Sequence, residues 1–90
     1  MRFVAHPTPN PNSLKLERAD GQPIIAEGMR SYTSPAQAAA DPLGTALFAI
    51  PGVTGVFALS TFLTVTKAPD ADWREVLPAV EEALGNVLPG

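Results

Sequence analysis

The chain has no cysteine among its 90 residues. That absence removes disulfides, thiolate metal ligation and a cysteine nucleophile from this stretch of polypeptide. Charge is also sparse, at 17% of residues, with six Lys and Arg against nine Asp and Glu. A nucleic-acid binder needs a cationic footprint that releases counterions. None is visible, so DNA and RNA are not expected partners. No apolar run approaches the ~20 residues of a membrane-spanning helix. The segment Met1-Arg2-Phe3-Val4-Ala5-His6-Pro7 lacks the apolar core of a secretory signal. The expectation is a cytoplasmic protein with no membrane contact.

What is present suits one small packed unit. A composition of 46% hydrophobic residues is too apolar for a disordered segment. A chain of this size buries roughly 60–65% of its unfolded surface, enough for one modest core. Residues 1–90 are therefore expected to form a single domain. The net charge of −3 is uneven. Residues 67–90 carry Lys67 and Arg74 against Asp70, Asp72, Glu75, Glu81 and Glu82, so the C-terminal part is the acidic one.

The ten prolines punctuate the chain and do not cluster in one tract. Phe3 to His6 reads as a strand that stops at Pro7. In Pro7-Thr8-Pro9-Asn10-Pro11-Asn12 every second residue lacks an amide proton, so the segment cannot enter a sheet interior. Each residue before a proline is also pushed toward extended geometry. A stiff connection between two strands follows. Ser13-Leu14-Lys15-Leu16-Glu17 alternates, with Leu14 and Leu16 facing in. Asp20-Gly21 marks a turn, and Met29 to Tyr32 is the expected third strand.

Ser34-Pro35 and Asp41-Pro42 each place a capping side chain before a proline suited to the first helical position. The first opens a short alanine-rich turn. The second opens a helix from Pro42 to about Ile50, with Leu43, Ala46, Leu47 and Ile50 on one face and Pro51-Gly52 as its stop. Val53–Leu59 and Phe62–Lys67 are β-rich runs joined at Ser60-Thr61, a hairpin of undefined turn type. Asp72 and Glu75 form a capping-box pattern for the last helix, whose stripe is Trp73, Val76, Leu77, Val80 and Leu84. Pro78 either kinks this helix or marks a second start after a separate turn over 72–77. The fold expected is α+β. It has a largely antiparallel sheet of about four or five strands and two main helices on one face, in the order β-β-(β)-α-β-β-α.

Four segments carry a resemblance: Thr8-Pro9-Asn10-Pro11-Asn12-Ser13-Leu14-Lys15; Pro42-Leu43 with Leu47 to Val53; Val56-Phe57 with Phe62 to Lys67; and Asp72-Trp73 with Leu77-Pro78. In this order they resemble the N-terminal domain of the Nfu family of NifU-like iron–sulfur scaffold proteins. The alanine-rich residues 34–41 and the Ser60-Thr61 hairpin depart from the family pattern. The resemblance implies a role in iron–sulfur cluster assembly or delivery. It also implies a Cys-x-x-Cys domain that holds the cluster, and no such pair occurs in these 90 residues. The chain is accordingly expected to be a stand-alone accessory module that binds protein and no cofactor. Its expected partner is a cysteine-bearing iron–sulfur assembly protein or a recipient of the cluster. A general peptide-binding module outside cluster traffic is the alternative.

The chemistry of single residues agrees with that expectation. A cluster is normally held by cysteine thiolates, sometimes with histidine on one iron. The lone His6 cannot supply that set. His6 with Asp70 and Asp72 has no spacing typical of a zinc site. No phosphate loop, nucleophile motif or paired acid and base stands out, so an enzyme is not expected. Candidate partner-binding residues are Thr8, Asn10 and Asn12 on the proline loop, where pre-paid ordering entropy makes recognition cheap. Thr64, Thr66 and Lys67 on the last strand complete the set. Each has a plainer reading. The asparagines build turns, the threonines are β-branched sheet residues, and Trp73 is a core anchor.

Overall fold

A computed structural model describes residues 2–88; Met1 and Pro89-Gly90, the two ends of the expected 1–90 domain, lie outside the described residues. Five strands and two α-helices follow the chain: β1 (Phe3–Pro7), β2 (Ser13–Arg18), β3 (Arg30–Tyr32), α1 (Pro42–Phe48), β4 (Val53–Ala58), β5 (Leu63–Lys67) and α2 (Trp73–Val87). The strands form one sheet in the order β1-β2-β5-β4-β3, with every neighbouring pair antiparallel. This is the expected α+β architecture.

Both helices lie on the same face. Leu16, Val56, Ala58, Leu63 and Val65 point from the strands into a core closed by Leu43 and Leu47 of α1 and Val76, Val80 and Leu84 of α2. Burying each such aliphatic side chain is worth about 1.5–3 kcal/mol. The helices do not reach over β1, which is exposed at four of its five residues. Two residues outside regular structure also enter the core. Ile24 and Ile25 are 3% and 6% exposed, and the Ile24 amide is fixed to the Ser60 carbonyl at 2.8 Å. They plug the end of the sheet beside the β4–β5 hairpin. Their loop has no periodicity, which hid them in the sequence.

Helix α1 ends at Phe48, short of the expected Ile50. Ile50 precedes a proline and so resists helical geometry, and Gly52 takes a positive φ of 96°. A Cβ at Gly52 would lie 2.9 Å from that of Ala71, so conformation and space both require glycine here. Helix α2 runs unbroken through Pro78, and the alternative of a separate turn over 72–77 does not hold. The proline removes the bond to the carbonyl of Arg74, but Arg74 and Pro78 are both exposed. A carbonyl on this exposed side of the helix is open to solvent, which limits the cost of the proline.

One register shift interrupts the sheet. Val53 pairs with Lys67 and Gly55 with Thr66, leaving Thr54 as the extra residue of a bulge. The bulge keeps Val53 in the core, 9% exposed, while its partner Lys67 is carried to the same covered face.

Candidate protein-binding site

Three of the four motif segments meet at one corner. The proline loop enters from the β1 side, Lys67 ends β5, and Trp73 begins α2. The loop is closed by its own polar groups. The Thr8 hydroxyl lies 2.8 Å from the Asn10 carbonyl oxygen and 3.0 Å from that of Ser13, and it accepts the Asn10 amide at 3.2 Å. The Asn10 side-chain oxygen accepts the Asn12 amide at 2.9 Å, and the Asn10 carbonyl accepts the Ser13 amide at 3.0 Å. Three prolines and these bonds leave the loop little freedom.

Lys67 grips Asn12 at two points. Its backbone amide donates to the Asn12 carbonyl at 2.8 Å, and its Nζ donates to Asn12 Oδ1 at 2.9 Å. The period-2 alternation of β5 drives this side chain under the start of α2, where only 7% of the residue is exposed. There Nζ also donates to the Ala68 carbonyl at 3.3 Å and lies 5.8 Å from the centre of the Trp73 ring. The Trp73 indole N–H donates to the Pro11 carbonyl at 3.0 Å. No carboxylate pairs directly with Lys67 among the described residues. Asp72 accepts from Arg74 through both its side chain and its backbone amide, which holds the Asp72 carboxyl below its ordinary value, with the Lys67 charge a smaller contributor.

The six predicted partner-binding residues therefore divide. Thr8, Asn10, Asn12 and Lys67 belong to the corner; Asn10 is exposed, Thr8 and Asn12 are half-buried, and Lys67 is covered. Its amine is committed to internal oxygen atoms, so it shapes the corner from beneath. Thr64 and Thr66 lie on the opposite, uncovered face of the sheet with Lys15, Glu17 and Phe57. Thr66 is joined to the corner by a 2.8 Å hydroxyl contact with Ser13. Lys15 sits 4.8 Å from the centre of the Phe62 ring on this bare face. Trp73 is half-buried against the core and bonded to the loop, so it is at once an anchor and part of the surface.

His6 acquires a partner that the sequence did not suggest. Its Nε2 is 3.6 Å from Glu17 Oε1, across the β1–β2 pair, with both side chains nearly half exposed. No group of three His, Cys, Asp or Glu side chains converges to hold a metal ion among the described residues. His6 with Asp70 and Asp72, a set whose spacing already spoke against a zinc site, forms no such group. Among the described residues no helix is long and apolar enough to cross a membrane.

Sequence reading missed one polar hub away from the corner. Asp41 caps α1 by accepting the Leu43 amide at 3.0 Å, accepts the Tyr32 hydroxyl at 2.6 Å and pairs with Arg30 at 3.1 Å. Burial pushes its carboxyl up, but the Tyr32, Leu43 and Arg30 contacts outweigh burial and hold it below its ordinary value. The bond to Asp41 in turn raises the Tyr32 hydroxyl. Only Asp41-Pro42 was readable as a cap. Its tie to β3 needed the fold.

The geometry has known counterparts. A family model described as "Scaffold protein Nfu/NifU N terminal" matches residues 3–89. The chain is 40% identical over 73 residues to NifU-like protein 5, mitochondrial, of Arabidopsis thaliana, covering 81% of this chain and 26% of that protein. It is 40% identical over 74 residues to the human NFU1 iron-sulfur cluster scaffold homolog, mitochondrial, covering 81% of this chain and 28% of the relative. The chain thus spans about a quarter of the length of these curated relatives. The crystal structure of protein SAV1430 from Staphylococcus aureus superposes with a TM-score of 0.70 at 28% identity, over 92% of this chain and 98% of that one. The solution structure of a NifU-like protein from Saccharomyces cerevisiae gives a TM-score of 0.76 over 94% of this chain and 76% of that one. At 23% identity that second likeness is one of fold.

Proposed function

This chain belongs to the Nfu/NifU family through its N-terminal domain, and from that premise we propose that it is a non-catalytic protein-binding module in iron–sulfur cluster assembly or delivery. The observation that carries the reading is how the family's motif residues are used. Thr8, Lys67 and Trp73 spend their side-chain polar atoms on the Asn12 side chain and on the backbone of Asn10, Pro11, Ser13 and Ala68, and so build a closed corner. Proline rings and the Asn10 side chain remain outward. Such a surface recognises protein at low ordering cost. It offers no thiolate to a cluster, so the cluster is cargo held by the partner.

Affinity capture with the tagged chain tests the reading. Recovery of cysteine-bearing cluster-assembly or recipient proteins supports it, and their absence with unrelated partners in their place removes it. Anaerobic reconstitution with iron and sulfide is expected to give no cluster absorption. A stable stoichiometric cluster on these residues overturns the accessory role. A cytoplasmic setting stays part of the proposal, and cell fractionation tests it, since the plant and human relatives carry "mitochondrial" in their names. One observation favours a general peptide-binding module instead. The edge strand β1 is uncovered and able to accept an added strand.

A further inference from the structure

The corner leaves one motif segment unused. Ile50-Pro51-Gly52 lies across from Asp70, Ala71 and Asp72 and the first turns of α2 as far as Ala79, and a cleft of about 460 Å³ separates them. Its floor is the buried Val76 flanked by half-buried Ile50, Ala71 and Ala79. Its charged lining residues are Asp70, Asp72 and Glu75, with no Lys or Arg among the lining residues. The walls are tied together: the Ala68 amide donates to the Gly52 carbonyl at 2.7 Å, and the Ala71 amide to the Ala68 carbonyl at 3.0 Å. The cleft is therefore pre-formed.

We propose that this cleft docks a basic segment of a protein partner, with an aliphatic side chain on the apolar floor and Lys or Arg against the acidic rim. The inference rests on the protein-binding role proposed above and names its chemistry. Charge complementarity selects the occupant. Asp70 and Glu75 form no ion pair among the described residues, and only Asp72 is already engaged, by Arg74. The start of α2 contributes about half a positive charge, far less than three carboxylates. An anion is repelled. A second copy of this chain is disfavoured because its own net charge is negative. The open shape suits a side chain presented by a partner rather than an enclosed small molecule.

The test uses a short synthetic peptide with one central leucine between lysines, titrated into the ¹⁵N-labelled chain and followed by NMR. Shifts are expected at Gly52, Ala71, Val76 and Ala79, and binding should weaken as salt rises. A glutamate-for-lysine peptide should not bind. Asp70→Asn combined with Glu75→Gln should weaken the lysine peptide about 5-fold or more, with a melting temperature lowered by no more than a few degrees because both side chains are exposed. Three outcomes of the titration overturn the proposal: no shifts up to roughly millimolar peptide, shifts confined to the proline corner or bare sheet face, or unchanged affinity in the double variant. Affinity capture separates this inference from the broader reading. If the double variant still recovers assembly proteins at full yield, the cleft falls and the pathway stands. If the peptide binds at the cleft but no assembly protein is recovered, the cleft stands and the pathway falls.

Discussion

Lys67 and Asp41 are two covered charges that hold irregular chain to regular structure by opposite means. Asp41 is surrounded by donors, two of them on β3: the Tyr32 hydroxyl, the Arg30 guanidinium and its own helix amide. Among the described residues, the close partners of Lys67 are neutral oxygens and an indole face. The Asp41 hub includes an ion pair, so its strength depends on protonation. The direct partners of Lys67 are dipoles, the Asn12 amide and the Ala68 carbonyl, and the Asp72 charge adds a smaller attraction. Structure can thus place the same kind of staple under different control.

The comparison breaks most visibly at Trp73. Trp73→Ala removes the ring that packs on the core and covers Lys67, and it is expected to cost about 3 kcal/mol in chemical denaturation. Trp73→Phe keeps most of the packing and loses the bond to Pro11, for about 1 kcal/mol. A loss below about 1 kcal/mol for the alanine variant would show that the corner does not anchor α2. Asp41→Ala comes next, at about 2 kcal/mol, roughly half from the lost cap and half from the stranded Tyr32 hydroxyl. Asp41→Asn should cost less because an amide oxygen still caps the helix.

Lys67→Met tests the other staple. It retains the apolar stem but leaves the Asn12 side-chain oxygen without its donor, for about 1–2 kcal/mol. Combining it with Asn12→Ala should recover part of that loss in a double-mutant cycle. Simple additivity of the two changes would show that the 2.9 Å contact carries no energy.

Acid sharpens the contrast by a smaller amount. Asp41 has a folded value below its unfolded one. Its contribution is therefore present above the ordinary carboxylate value and is lost as pH falls through the lower folded value. Melting temperature followed downward from about pH 5 should drop in the native chain, and part of that drop should vanish in Asp41→Asn. An identical acid profile in the two proteins would remove the hub from the account. The smallest effect is expected at Thr64 on the bare sheet face, where Thr64→Ala should stay within about 0.5 kcal/mol.

The sequence was most legible where one period governs a whole element. Leu16, Leu63 and Val65 show the strand period, and Val76, Val80 and Leu84 the helical one; all six lie in the core. Caps were legible for the same local reason, since Asp41 and Asp72 act within two residues of themselves. The candidate site was legible only as a set of names. Thr8, Asn10, Asn12 and Lys67 fell together, but Thr64 and Thr66 turned to the other face. The cleft at Gly52 depends on residues about twenty positions apart, and no local pattern reports such a meeting.

The polypeptide alone determined the α+β order, the absence of cysteine from these 90 residues and the position of each cap, because these depend on neighbours along the chain and on atom inventory. Tertiary structure decided that Lys67 would be covered and Asn10 left outside. It also drew Ile24 and Ile25 into the core from a loop and left the acidic start of α2 facing the end of α1. Those outcomes turn on which face a strand presents once its register and one bulge are fixed. Register is settled by the whole sheet packing against both helices.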